Sequence, residues 1–304
     1  MTTFCWDKKG LIYKPDKYSK WPTHAVLPFI DKQEDKYYMY FGSRTKDNVA
    51  YSFRAEFDYK NNKILSHSKK PILKPGEIGC FDQHGAISSS IVSIDNLKYL
   101  YYIGWTKGHE PPLFYASIGL AISENSGKSF RKVSKAPIIP RDDKNPILMT
   151  SPHVIYVNNY FYMAYISGVK WEKINGDLKS FYRICSAESK NGFEWYNTGN
   201  VLIDLKDQET NHARPWIINY QNNFHMFFSK KSNLSQYNFG YASSKDLNNW
   251  VRDDTKIKMK GNESSFDSEM ICYPSVSKIE KKLYLFYNGN KFGFDGAGLA
   301  TLNL

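Results

Sequence analysis

Pro215-Trp216-Ile217, followed by the aromatic strand Phe224 to Ser229, is one copy of a pattern that occurs five times in the sequence. The five short openers are Pro28-Phe29-Ile30, Ser90-Ile91-Val92, Pro152-His153-Val154, Pro215-Trp216-Ile217 and Pro274-Ser275-Val276. Their first residues are separated by 62, 62, 63 and 59 positions. Because each opener precedes a strand rich in aromatic and β-branched residues, the repeat predicts the blades of an all-β propeller.

We predict a single five-bladed β-propeller domain over residues 1–304, with no linker. The predicted blades span approximately residues 22–70, 80–140, 148–204, 211–258 and 266–304. The last copy lacks an outer strand, which the apolar stretch Gly10 to Tyr13 can supply. We therefore expect residues 4–14 to close the ring in the last blade, since closure removes exposed sheet edges.

The composition favours an anionic partner. The chain carries 41 Lys and Arg against 30 Asp and Glu, a net charge of +11. These lysines are dispersed through loops, as in Lys60 to Lys70, with no compact basic helix, so nucleic acid is not expected as a partner. The positive field suits a phosphorylated or acidic sugar.

Neither export nor a redox or metal role for cysteine is indicated. No apolar run approaches the roughly 18 residues that span a bilayer, and Met1 to Gly10 has no apolar signal core. The sequence therefore predicts a cytoplasmic protein without a membrane span. The four cysteines, Cys5, Cys80, Cys185 and Cys272, are far apart in the sequence, so we expect reduced thiols rather than disulfides or a zinc site.

Polar residues stand just before several openers, where a propeller brings remote segments to one mouth of its central channel. Arg44 and Trp105, at the ends of second strands, are expected to reach the same mouth. The predicted substrate-binding residues are His24, Arg44, His84, Trp105, Ser151, His212, Arg214 and Asp267. Arginine can grip a carboxylate or phosphate with two hydrogen bonds, and tryptophan can stack on a sugar ring.

Asp82 and Glu269 form the candidate catalytic pair, because glycoside hydrolysis requires one acid and one base or nucleophile. Glu269 precedes Met270 and Ile271, so desolvation is expected to suit it to the acid role. Asp82, beside Gln83 and His84, is expected to be better solvated and ionised. A structural role, as a turn cap or the partner of an arginine, is the alternative for each carboxylate.

The histidines that precede openers leave three alternatives open. His24, His84 and His212 can bind sugar hydroxyls or phosphate, shuttle protons, or ligate a metal in the channel. We predict binding, with no cofactor required and a channel metal as the alternative. Two insertions after second strands, Gly108 to Pro112 and Val169 to Ser180, are expected to shape a pocket, to which Trp171 offers a further ring.

Several motifs together resemble one group of bacterial propellers. They are Phe81-Asp82-Gln83-His84-Gly85, Tyr102-Ile103-Gly104-Trp105, Ala213-Arg214-Pro215, Asp267 to Pro274 and Tyr287-Asn288-Gly289-Asn290. The group is similar to the five-bladed propellers of glycoside hydrolase families 43, 32, 68 and 130, and is described as a family 32 N-terminal-like domain. Where the characterised hydrolases carry an Asp, an Asp-Pro and a Glu, this chain has Thr23-His24, Ser151-Pro152 and Arg214-Pro215.

The resemblance implies a carbohydrate-active enzyme, a glycosidase-like hydrolase or a phosphorylase acting on a glycan or anionic sugar. It further implies a place in surface-polysaccharide or sugar-nucleotide metabolism. Two other functions remain open from the sequence: a non-catalytic sugar-binding propeller, and a sugar transferase or phosphodiester-cleaving enzyme. The oligomeric state is not predicted.

Overall fold

Twenty-one strands account for most of the regular structure in the computed structural model, which describes residues 3–260 and 266–303. The first strand is β1 (Phe4–Tyr13). The next two groups of strands are β2 (Thr23–Gln33), β3 (Lys36–Arg44), β4 (Ala50–Asp58) and β5 (Lys63–His67), then β6 (Gly85–Ile94), β7 (Leu97–Lys107), β8 (Phe114–Ser123) and β9 (Arg131–Lys132). Within each group, consecutive strands pair antiparallel.

The second half of the chain repeats this arrangement. The third and fourth groups are β10 (Met149–Val157), β11 (Tyr160–Ile174), β12 (Asp177–Ser189) and β13 (Tyr196–Ile203), then β14 (Glu209–Tyr220), β15 (Asn223–Ser232), β16 (Asn238–Ser244) and β17 (Trp250–Arg252). A short 3-10 turn at Asp254–Lys256 leads to β18 (Ile257–Lys260). The final strands are β19 (Cys272–Ile279), β20 (Lys282–Asn288) and β21 (Ala297–Asn303), with one helical turn, α1 (Asn290–Gly293), between the last two.

The first strands of the five groups form a ring. β2, β6, β10, β14 and β19 contact one another in that order, and β19 contacts β2 again. The N-terminal strand β1 pairs antiparallel with β21 and parallel with β18, so the last group combines both ends of the described chain. The predicted all-β propeller, closed by residues 4–14, is therefore confirmed. The predicted outer limits, residues 1 and 304, lie outside the described residues.

The repeated central aromatic of each second strand is fully buried. These residues are Tyr40, Tyr102, Tyr165, Phe228 and Tyr287. Two of the rings require glycine on the neighbouring strand: a Cβ on Gly119 would lie 2.2 Å from Tyr102, and one on Gly240 would lie 2.4 Å from Phe228. Close packing inside these blades therefore requires glycine opposite each large aromatic ring.

A bulge interrupts the pairing of every innermost strand at the opener. In four of them the residue before proline has a positive φ, namely Leu27 (57°), Ser151 (50°), Arg214 (51°) and Tyr273 (56°). Proline has no N–H to donate to the ladder, and a bulge redirects the side chain beside it. The bulges turn residues from different strands toward one another, and Arg214 Nη1 donates to Ser89 Oγ at 2.8 Å.

No helix in the described ranges combines the length and apolar character that a bilayer crossing needs.

Candidate functional site

A cavity of about 1090 Å³ opens where the innermost strands converge. Residues from every strand group line it, including Leu27, Ile87, Ser151, Ala213 and Tyr273. Five of the eight predicted binding residues also lie on its wall: His24, Arg44, Trp105, Ser151 and His212. Both predicted insertions contribute, through residues 108 and 111–112 and through Trp171 and residues 178–180. The structure thus brings much of the predicted mouth together.

The wall of this large cavity is cationic and aromatic. Four side chains carry positive charge: Arg44, Lys107, Lys179 and Lys231. Seven rings share the wall with them: Trp105, Phe114, Trp171, Tyr182, Tyr237, Tyr273 and Phe292. Among the described residues that line the cavity there is no aspartate or glutamate. This composition suits a ligand that has both an anionic group and flat faces for ring contact.

Arg44 lies on the cavity wall without a carboxylate partner. Its Nη1 donates to Asn48 Oδ1 at 2.8 Å, its guanidinium lies 5.7 Å from the Trp105 ring centroid, and its Nε has no hydrogen-bond partner within the described residues. Burial lowers the pKa of Arg44, and Tyr273 opposes that shift. A bound anion would satisfy the donor that the protein leaves unused.

Lys179 and Lys231 form a second cationic group on the wall. Burial lowers the pKa of Lys231, and the charge of Lys179 lowers it further, so the two ammonium groups act on each other. Neither lysine forms an ion pair with a carboxylate in the described part of the chain. Lys231 also lies 5.9 Å from the Tyr237 ring centroid. Two lysines on one cavity wall without a carboxylate partner in the described residues favour an anionic ligand.

His24 is a neutral group at the mouth. Burial lowers its pKa to about 3, and the neighbouring charge of Arg44 contributes to the shift. Its Nδ1 lies 3.0 Å from Thr23 Oγ1, and its ring packs edge-on against Phe294. At neutral pH His24 therefore offers a hydrogen bond rather than a charge.

His212 is oriented by a carboxylate outside the large cavity. Its Nε2 lies 3.0 Å from Glu209 Oε2, and a carboxylate only accepts, so Nε2 carries the proton. Burial raises the pKa of Glu209, but hydrogen bonds from Arg252 and His212 outweigh it and hold that pKa well below its usual range. Arg252 grips Glu209 with two hydrogen bonds, at 2.9 and 2.5 Å. Arg252, Glu209 and His212 thus form a chain that fixes the imidazole.

Asp82 is not solvated, and that expectation is wrong. The residue is 1% exposed, its Oδ2 accepts from the Tyr102 hydroxyl at 3.0 Å, and Lys132 Nζ lies 2.5 Å away. Asp82 does not line the large cavity. Its carboxylate joins the inner edge of the blade to the second strand, β7, and to the outer strand, β9. These contacts fit the structural role predicted from the sequence as the alternative to catalysis.

Asp267 has the same contacts in the last blade. Its Oδ2 accepts from the Tyr287 hydroxyl at 2.9 Å and lies 3.0 Å from Lys8 Nζ, which the N-terminal strand supplies. We call each set of aspartate, tyrosine and lysine a blade clamp. Asp267 therefore lies in a clamp and against a smaller cavity, rather than on the wall of the large one.

Glu269 also differs from the expectation. It is exposed rather than desolvated, while Met270 beside it is 7% exposed and turned into the protein. The Glu269 backbone N–H donates to Asn290 Oδ1 at 2.9 Å. Glu269 lines the smaller cavity, of about 520 Å³, which Asp82 does not reach. The structure therefore does not bring the predicted catalytic pair to one cavity.

Two other predicted binding residues, Arg214 and His84, do not line the large cavity. Arg214 is completely buried, with its guanidinium 4.8 Å from the Trp216 ring centroid and 5.5 Å from that of Phe29. His84 accepts from the Lys107 backbone N–H through Nδ1 at 3.2 Å and packs near Trp105. His84 thus supports cavity residues.

The three histidines considered for a channel metal are not gathered around one point. His24 and His212 line the large cavity, whereas His84 does not. Within residues 3–260 and 266–303, no three His, Cys, Asp or Glu side chains are grouped as a metal ion requires.

Sequence reasoning missed the part of the wall formed by Lys231, Tyr237 and Phe292, and it did not single out Lys179 within the predicted insertion Val169 to Ser180. Lys231 and Tyr237 flank the connection between β15 and β16, which follows a second strand as both predicted insertions do. Comparing that connection in every repeat would have identified it. Phe292 has a positive φ of 58° in α1, which the sequence does not reveal.

Comparison with known proteins identifies a full-length relative. A scan against protein-family models finds no match. The uncharacterized protein Rv1502 of Mycobacterium tuberculosis is 30% identical over 301 residues, which cover 98% of this chain and 99% of that protein. A 1,2-beta-oligomannan phosphorylase from Thermoanaerobacter sp. (strain X514) is 23% identical over 143 residues, 46% of either chain.

Solved structures share the fold. A glycoside hydrolase superposes with a TM-score of 0.76 at 17% identity, over 99% of this chain and 92% of that one. The beta-1,2-mannobiose phosphorylase from Listeria innocua, in complex with beta-1,2-mannobiose, gives a TM-score of 0.68 at 9% identity, over 92% of this chain and 89% of that one. The fold is therefore that of propeller enzymes of the glycoside hydrolase and phosphorylase type.

Proposed function

We propose that this chain, which belongs to the same family as the uncharacterized protein Rv1502 of Mycobacterium tuberculosis, is a carbohydrate-active propeller whose large cavity holds an anionic sugar or glycan. One observation carries the proposal: four cationic side chains and seven rings line the cavity, without a carboxylate among its described residues. Rings supply stacking faces for a sugar, and unpaired cations supply binding energy for an anion.

Among the enzymatic alternatives, the cavity favours phosphorolysis over hydrolysis. Hydrolysis by the usual route needs two carboxylates flanking the glycosidic bond, and the described wall has none. In phosphorolysis, an oxygen of inorganic phosphate forms a bond to the anomeric carbon, the glycosidic C–O bond breaks, and the leaving oxygen takes a proton. The cations of the wall suit the phosphate. The 1,2-beta-oligomannan phosphorylase is similar to part of this sequence, and the beta-1,2-mannobiose phosphorylase shares the fold. Both are, by name, phosphorylases of β-1,2-linked mannose.

The proposed roles follow the contacts. Arg44, Lys179 and Lys231 hold phosphate, and Trp105 and Trp171 contact the sugar. Glu269 remains our proposed proton donor, whereas the contacts of Asp82 suit a structural role. We propose that no cofactor is needed, and that the pathway is surface-polysaccharide or sugar-nucleotide metabolism.

Purified protein incubated with β-1,2-linked manno-oligosaccharides longer than a disaccharide and inorganic phosphate tests the reaction. We expect release of mannose 1-phosphate, with the rate lost in Glu269→Gln. Titration calorimetry with phosphate should show about tenfold weaker binding for Lys231→Gln and Lys179→Gln. The matched control is Lys173→Gln, an exposed residue of the same β11–β12 hairpin. Phosphate binding that is equal in all four proteins would refute the anionic site.

Non-catalytic sugar binding is the second candidate, because Asp82 is held in a clamp and does not share a cavity with Glu269. It predicts saturable sugar binding, dependent on Arg44 and Trp105, without turnover over long incubation. A transferase or phosphodiester-cleaving enzyme that uses a channel metal predicts bound metal on elemental analysis and loss of activity with chelator.

A further inference from the structure

The large and the smaller cavity share one wall. Five residues line both of them: Lys231, Ser232, Ser235, Gln236 and Tyr237. They belong to the end of β15 and to the connection that leads into β16. The two spaces are therefore separated by a single loop, whose exposed residues 233–236 we call the partition loop.

The partition loop is held mainly by its own hydrogen bonds. Ser232 Oγ lies 2.9 Å from Ser235 Oγ and accepts from the Leu234 N–H at 3.1 Å. The backbone bond that ties the loop to another segment runs from the Asn233 N–H to the Gln208 carbonyl at 3.1 Å. Leu234 is 83% exposed at the rim. A segment with few buried contacts opens at low free energy.

The partition loop ends at Tyr237, which is buried and held by contacts with other segments. Tyr237 is 7% exposed, its carbonyl accepts from the Ile271 N–H at 3.1 Å, and its ring packs against Tyr273 and Phe292. Displacement of the loop would therefore stop at Tyr237, leaving the aromatic wall in place.

The two cavities differ in their acidic residues, although lysines line both of them: Lys8, Lys230 and Lys231 line the smaller one. The large one has unpaired cations and no described carboxylate, whereas three carboxylates line the smaller one: Glu209, Asp267 and Glu269. Arg252 holds Glu209, and Lys8 holds Asp267. Glu269 is exposed and forms no ion pair within the described ranges. The carboxylate with no structural partner thus faces the space beside the cationic cavity, across the partition loop.

We propose that the two cavities are halves of one oligosaccharide cleft, and that a glycan longer than a disaccharide occupies both when the partition loop moves aside. The inference rests on the proposed function and names its ligand class. The terminal sugar lies in the cationic half, beside the phosphate that the cations hold, and the following sugar units reach Glu269 in the smaller half. Leu234 then covers the bound chain, which buries a side chain that is otherwise exposed to water.

A length series tests this cleft. Titration calorimetry with β-1,2-linked manno-oligosaccharides, from disaccharide to pentasaccharide, should show affinity rising about tenfold or more beyond the disaccharide. Ser268→Phe fills the smaller cavity at an exposed position and should abolish that gain while leaving disaccharide affinity within about twofold. The control Ser134→Phe, exposed and away from both cavities, should retain the gain.

Hydrogen exchange on the wild-type protein gives a second measurement that needs no variant. Residues 233–236 should become protected by the pentasaccharide and not by the disaccharide. Length-independent binding, or a gain that survives Ser268→Phe, overturns the single cleft while the proposed function stands. Binding of no oligosaccharide at any length overturns both.

Discussion

The aspartates of the two blade clamps are paired with lysines, whereas the cations on the wall of the large cavity have no carboxylate partner among the described residues. Asp82 meets Lys132 and Tyr102, and Asp267 meets Lys8 and Tyr287, in the same geometry. Arg44, Lys179 and Lys231 have no carboxylate partner in the described part of the chain. The paired groups stabilise the fold. The unpaired cations destabilise it, and ligand binding best explains why they are present.

The largest effect should come from the strand that completes the last clamp. Trp6 on β1 is fully buried against Phe4 and Phe227. Trp6→Ala should lower the free energy of unfolding by about 4 kcal/mol, since a large core ring is lost. Urea denaturation measures the loss. Tyr18→Ala, at an 86% exposed residue just after β1, is the control and should change little.

Removing the aspartate of a blade clamp should lower the free energy of unfolding nearly as much. Asp82→Ala leaves Lys132 and the Tyr102 hydroxyl without their acceptor, and should destabilise the protein by about 3 kcal/mol. Glu77→Ala removes an exposed ion pair with Lys135 and serves as the control, with no measurable change expected. A stable Asp82→Ala protein that has lost turnover would instead return Asp82 to the catalytic mechanism.

The acid side of the stability profile tests His24. Because its pKa is lowered to about 3 in the folded protein, the unfolded chain binds the proton first as pH falls below about 6.5. Stability is therefore lost as pH falls from about 6.5 toward 3. His24→Gln should remove about 2 kcal/mol of the loss between pH 7 and pH 5. Exposed His109 provides the control, and an unchanged slope in His24→Gln would contradict a buried neutral imidazole.

The smallest expected effect on stability is a gain rather than a loss. Lys231→Gln removes a cation that burial and Lys179 both disfavour, so the unfolding free energy should rise by about 0.5 kcal/mol while phosphate binding weakens. Thermal denaturation in phosphate-free buffer measures this gain. A clear loss of stability would show that Lys231 has a structural partner. Lys231 would then be a paired charge, as Asp82 is.

The fold was predictable because its signals are local. The aromatic strands and the X-Pro openers recur at a nearly constant step, and each blade forms mostly from neighbouring strands. The mouth was partly predictable for the same reason, since topology alone brings His24, Ser151 and His212 together.

The direction of individual side chains was not predictable. Asp82 and His84 are two positions apart near one opener, yet one enters a clamp and the other supports the cavity rim. Arg214 and His212 are also two positions apart, and only His212 lines the cavity. Bulges at each opener break the simple alternation that sequence reasoning relies on.

By itself the sequence determined a propeller of repeated aromatic strands, closed by its N-terminal segment, and a polar mouth built from remote openers. Those properties depend on composition and spacing, which are written along the chain. Only the tertiary structure decided that Asp82 lies inside a blade, that Glu269 lies in a second cavity, and that Lys179 and Lys231 line the same cavity. The physical reason is that a one-residue shift at a bulge changes the face on which a side chain lies, and contacts between distant loops leave no periodic signal.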